Sequence, residues 1–323
     1  MIYLHCGWPK TGTTSLQASL VKNADALASA GIVYPEKWRR LVDGSHNDLA
    51  DMEVVSVGAD PSFEEVKRFL QGCAGSDVLL SSESLTVSLL RTDAESERLL
   101  GLIAAIKEVS PVSCLWTLRR FDRVIQSFSV EAMVRRGSSN SLVEWLMGDF
   151  QMDQLFSRML AVERAAHKVT YVKFASSGSH NVELLHALDL PASLSRSIES
   201  EVSGQRRLNV GRSHKKVVAA THVDAISNRL GAEIDRDQLL RTLDDRDLQF
   251  EGDRYCEVLE PEVRQRIHEQ MLSSALRCGF EPYVRFFGGE RVDAGPAVDL
   301  DADVLSDDDL ARLRTHIERS VRA

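Results

Sequence analysis

The chain has 323 residues, 43% of them hydrophobic and 27% charged, which suits one sizeable α/β core with room for an appended piece. A formal net charge of -9 sets the molecule as a whole against nucleic acid and anionic membranes, although it does not report where individual arginines sit. No basic start followed by an apolar signal region is present, and no run of about 18 apolar residues could span a bilayer, so a cytoplasmic location is expected.

The first residues read as a strand, Ile2–Cys6, that runs straight into a glycine turn. Three more short apolar runs follow: Asp77–Ser82, Val112–Leu118 and Lys168–Phe174. None shows the two-residue alternation of a half-exposed strand, which is how buried parallel strands read. Between them lie helical patterns at Thr14–Ala30, Phe63–Cys73, Ala94–Val109 and Asp122–Arg135. Alternation of this kind predicts α/β architecture, a parallel sheet with crossover helices. After Phe174 helices take over, at Leu208–Leu230, Asp235–Leu243 and Pro261–Cys278, the last with proline in its first turn. Residues 1–290 are therefore expected to form the α/β domain. Residues 291–323 should add an acidic, solvated linker and a loosely held polar helix, Asp307–Val321.

The five cysteines, Cys6, Cys73, Cys114, Cys256 and Cys278, are scattered, and no pair has CxxC spacing. Neither a disulfide framework nor a zinc site is expected, and for the three that lie in or beside apolar runs a buried free thiol is the simpler reading.

The sharpest feature is the stretch Gly7-Trp8-Pro9-Lys10-Thr11-Gly12-Thr13-Thr14-Ser15, between the first strand and the first helix. Main-chain amides of such a turn, with the helix amino terminus behind them, make an anion cradle suited to phosphate. Gly7 and Gly12 have the separation of the triphosphate pattern GxxxxGK[ST], but Thr13 stands where that pattern has lysine. The cation sits instead at Lys10, which suits a single phosphate better than a magnesium-bound triphosphate tail.

The run Pro9-Lys10-Thr11-Gly12-Thr13-Thr14-Ser15-Leu16-Gln17 resembles the 5′-phosphosulfate loop of the sulfotransferase family. That resemblance implies a P-loop-like three-layer fold and, as cosubstrate, 3′-phosphoadenosine-5′-phosphosulfate. It implies that Pro9, Lys10, Thr11, Gly12, Thr13, Thr14 and Ser15 hold the 5′-phosphate. Lys10 would also steady the bridging oxygen as the nucleotide leaves. The family reads the 3′-phosphate with an arginine at the end of a later strand and a serine eight positions on; Arg119 and Ser127 have that spacing here. Phe121 stands where the family often has proline, and Arg120 would take the role of Arg119 after a shift of one residue. Arg206 and Arg207, in a late basic loop, either close the nucleotide site or are solvated.

Activating a hydroxyl acceptor needs a base. Glu83, just past the carboxyl end of the second apolar run, is one candidate; His46, in a polar loop, is the rival. Trp8, Trp38 and Trp116 either line an acceptor cleft or belong to the core. The expected partner is a carbohydrate or other small-molecule acceptor, without nucleic acid, membrane or metal. A kinase would need lysine at position 13, and a non-catalytic nucleotide-binding protein would dispense with the base.

Overall fold

The computed structural model describes residues 1–8, 10–40, 44–46, 61–90, 92–136, 150–175, 179–204, 214–231, 234–243, 248, 250, 259–292 and 305–322. Five strands form one sheet: β1 Ile2–His5, β2 Ile32–Val33, β3 Asp77–Ser81, β4 Val112–Leu118 and β5 Lys168–Lys173. Their spatial order is β2-β3-β1-β4-β5 and every pairing is parallel. The helices in chain order are α1 Thr13–Lys22, α2 Ala24–Ser29, α3 Pro61–Gly72, α4 Ser84–Leu90, α5 Asp93–Lys107, α6 Phe121–Arg136, α7 Met152–Ala165, α8 Ser179–Ala187, α9 Ala192–Gly204, α10 His214–Thr221, α11 Val223–Leu230, α12 Arg236–Leu243, α13 Pro261–Cys278, α14 Glu281–Phe287 and α15 Asp307–Arg322.

β4 is buried at every position, the pattern of a strand covered on both faces. Leu115 and Val172 look to one face, where they pack with Leu16 and Leu20 of α1 and Leu184 and Leu185 of α8. Successive side chains on a strand alternate, so Tyr171 looks to the other face. There its ring meets Phe280 edge-on at 5.4 Å, and Phe156 of α7 stacks on Phe280 at 5.1 Å. Helix, sheet, helix is the resulting layer order. Trp8 and Trp116 are core residues, each about 1% exposed.

The chain divides into two compact units. The first, Met1–Arg120, Gln151–Asn209 and Met271–Gly289, contains the whole sheet. The second, Phe121–Phe150, Val210–Gln270 and Glu290–Ala323, is helical among its described residues. Its core gathers Val130 and Val134 of α6, Val217 and Ala220 of α10, Leu239 and Leu243 of α12, and Leu310 and Leu313 of α15.

The terminal helix therefore departs from the loose tail expected of it. Leu313 is fully buried, and Asp309, also fully buried, meets Lys215 at 2.6 Å. Ser306 and Asp309 cap the helix reciprocally: the Asp309 N–H donates to Ser306 Oγ, and the Ser306 N–H to Asp309 Oδ2. The expected helix Thr14–Ala30 is broken at Asn23, whose amide donates to the Ser19 carbonyl and to Glu201. Cys6, Cys73, Cys114 and Cys278 are free thiols, and Cys256 lies outside the described residues. No helix among the described residues is long and apolar enough to cross a membrane.

Candidate functional site

In a parallel sheet the carboxyl ends of all strands lie along one edge, and ligands bind there where the chain changes direction across the sheet. β1 sits between β3 and β4, with His5 in register with Ser81 on one side and Leu115 on the other. Neighbouring strands are about 4.8 Å apart. The loop after β1, Glu83 after β3 and Arg119 after β4 consequently emerge side by side.

The loop takes its shape from two left-handed residues, Lys10 at φ 65° and Gly12 at φ 74°. Glycine adopts this conformation freely, whereas lysine gives up about 1–2 kcal/mol. Gly7 has no room for a side chain: a Cβ there would lie 2.8 Å from Thr13 Cγ2 and 2.9 Å from Thr11 Oγ1. Carbonyls of the loop are held by donors. Thr11 Oγ1 donates to Trp8 O at 2.6 Å, Arg119 Nη1 to Lys10 O at 2.6 Å, and the Ser15 N–H to Gly12 O at 3.2 Å. Thr11 O lies 3.0 Å from His180 Nε2. Among the described residues the N–H groups of Thr11, Gly12 and Thr13 have no hydrogen-bond partner. Left-handed residues interleaved in this way make a nest that presents N–H groups to an anion. Thr14 and Ser15, half-buried, fill the first turn of α1.

Glu83 is joined to this loop directly: Thr13 Oγ1 donates to Glu83 Oε2 at 2.7 Å. The Glu83 carbonyl starts α4 by accepting from the N–H groups of Thr86 and Val87, which leaves the side chain turned towards the loop. His46 is placed differently. Its Nδ1 accepts from the Ser81 N–H at 3.1 Å, and its Nε2 donates to the Pro35 carbonyl at 2.9 Å. The ring is fully buried, with Tyr34 edge-on at 4.7 Å, and burial lowers its pKa to about 4. Both nitrogens serve the main chain, so His46 braces β3 and has no lone pair to offer an acceptor. Of the two candidate bases, the geometry favours Glu83.

Arg119 lies closer to the loop than its expected role at the far phosphate requires. One Nη holds Lys10 O, and the guanidinium carbon stands 4.9 Å from the centre of the Phe174 ring. Arg120 is buried. Ser127 belongs to the second unit, where its hydroxyl donates to the Arg123 carbonyl one turn back at 2.9 Å. The structure thus brings Lys10, Thr11, Gly12, Thr13, Glu83 and Arg119 together. Pro9, Arg206 and Arg207 lie outside the described residues.

Beside Gln17, which the loop pattern already contains, three residues near the loop have no role assigned from the sequence: Ser81, His5 and His180. The Gln17 amide donates to Ser81 Oγ at 3.0 Å, and that oxygen lies 2.8 Å from His5 Nδ1. His5 Nε2, 3.6 Å from a Cβ built on Gly7, has no hydrogen-bond partner among the described residues. Burial, and secondarily His180, lowers the His5 pKa to about 4. The third is His180, held from α8. No group of three or more His, Cys, Asp or Glu side chains among the described residues could hold a metal ion.

No family model matches this chain, and neither does any curated protein or solved structure.

Proposed function

We propose that the protein is a sulfotransferase, transferring the sulfuryl group of 3′-phosphoadenosine-5′-phosphosulfate to a hydroxyl or amine of a carbohydrate or small metabolite. The observation that carries the reading is the loop after β1. Three successive N–H groups lack acceptors among the described residues, a lysine precedes them, and Thr13 replaces the lysine a triphosphate would need. The strand order, with that loop on the central strand, supports a P-loop-like version of the three-layer fold.

In this reading the loop amides and the hydroxyls of Thr14 and Ser15 hold the 5′-phosphate. The acceptor oxygen attacks sulfur in line, and its proton passes to the Glu83 carboxylate. The bond from sulfur to the bridging oxygen breaks, its electron pair stays on the departing adenosine bisphosphate, and the Lys10 ammonium neutralises that charge. The Thr13 hydroxyl aims Glu83 and ties the base to the phosphate site. Arg119, with Nη1 kept on Lys10 O, would offer its remaining guanidinium N–H groups to the 3′-phosphate.

The test is sulfuryl transfer from the labelled donor to a panel of sugars, phenols and amines. Glu83→Gln should lower turnover by about 10²–10⁴-fold while leaving donor binding intact. Undiminished turnover in Glu83→Gln would remove the base, and a wild type that does not bind the donor would sink the reading.

A further inference from the structure

We infer that His180 is a positioning residue of the anion site: by gripping the Thr11 carbonyl it fixes the direction in which the Gly12 N–H faces the bound phosphate. The inference rests on the loop's being a phosphate cradle. Its basis is the planarity of the peptide unit. The carbonyl of one residue and the N–H of the next share a rigid plane and point in opposite directions. Whatever holds a loop carbonyl outward therefore aims the following N–H inward.

Each of the three N–H groups that lack a partner has its carbonyl held in this way. Arg119 grips Lys10 O and so sets the Thr11 N–H. The Ser15 N–H holds Gly12 O and sets the Thr13 N–H. His180 Nε2, 3.0 Å from Thr11 O, sets the Gly12 N–H between them. Thr11 O can only accept, and the Ala175 N–H directs its donor at Nδ1, so in a neutral ring Nε2 carries the proton. His180 is 3% exposed, and the Phe174 ring lies beside it, tilted, with ring centroids 4.8 Å apart. Its Nδ1 accepts from the Ala175 N–H at 3.4 Å, which fixes the ring at its other end; Ala175 O, 3.0 Å away, receives no proton from it. Burial lowers its pKa, in keeping with a neutral ring that donates through Nε2. Gly12 belongs to this contact as well, since a Cβ there would stand 3.9 Å from Nε2. Without that grip the Thr11–Gly12 peptide is free to rotate, and a carbonyl oxygen turned towards the phosphate would repel it.

A merely structural histidine would affect every ligand alike, whereas this one should affect the 5′-phosphate alone. The experiment compares adenosine 5′-monophosphate with adenosine 3′-monophosphate by calorimetry, in the full chain and in His180→Leu and His180→Gln. Glutamine can place an N–H where Nε2 stands. His180→Leu should weaken the 5′-nucleotide about tenfold, the scale of one lost hydrogen bond, and leave the 3′-nucleotide within about twofold. His180→Gln should recover most of the loss. Equal weakening of both nucleotides, no weakening of either, or failure of glutamine to rescue would overturn the assignment while leaving the cradle in place. A wild type indifferent to the 5′-phosphate would overturn the cradle itself and this assignment with it.

Discussion

Replacing His46 by glutamine removes a titrating group from the interior, and the size of the effect follows from the ring's surroundings. The imidazole is fully buried, donates to Pro35 O and accepts from the Ser81 N–H. Charging it means placing a proton on Nδ1, which ejects the Ser81 N–H and leaves a cation without water. Burial accordingly lowers its pKa from 6.5 to about 4. In the unfolded chain the same ring takes a proton near the ordinary value, so between the two the unfolded state binds more protons. Stability from this group is complete above about pH 6.5 and is lost as the pH falls towards 4, about 3 kcal/mol in all. Urea unfolding of wild type and His46→Gln across this range is the assay. At neutral pH the variant should be the less stable, having lost the bond from Ser81. The difference should then shift by about 2–3 kcal/mol in the variant's favour as the pH falls to about 4.5, because the variant has no buried imidazole to protonate. A gap that stays constant would mean an ordinary, solvent-reachable imidazole, and His46 would return as a candidate base.

Three further substitutions probe the same account. Lys10→Gly should stabilise the fold by about 1 kcal/mol, by relieving left-handed strain at a non-glycine residue, yet weaken donor binding; thermal unfolding and calorimetry on one sample would show the two moving in opposite directions. Gly7→Ala should push Thr11 and Thr13 out of place and abolish nucleotide binding, with circular dichroism unchanged, since the clash is confined to the loop. Leu313→Ala in the terminal helix should cost about 2–5 kcal/mol in denaturant unfolding, the range for a fully buried leucine, whereas a loose tail would lose nothing.

The loop was legible in the sequence because its backbone geometry demands glycine where only glycine fits, at a junction of strand and helix. Glu83 and Arg119 were legible for a related reason: each follows an unbroken apolar run, and parallel strands deliver their following residues to one edge. His180 was not. It lies 169 residues from Thr11 and binds a main-chain carbonyl, so no side-chain pattern marks the pair. β2 is two residues long, too short for any periodicity to register. His46 looked like an exposed loop residue because nothing local shows that β3 and Pro35 close over both ring nitrogens. The terminal helix did carry a signal, Leu310, Leu313 and Ile317 at one-face spacing, which the surrounding acidic residues hid.

The central claim is that the amide nest after β1 holds the 5′-phosphate of a nucleotide that also bears a 3′-phosphate. Titration of the full chain with adenosine 3′,5′-bisphosphate, beside ATP with magnesium, tests it most directly. The account predicts micromolar affinity for the bisphosphate, weak binding of ATP, and loss of bisphosphate binding in Lys10→Ala and Arg119→Ala. ATP binding as tight as the bisphosphate, or bisphosphate binding that survives both substitutions, would contradict it.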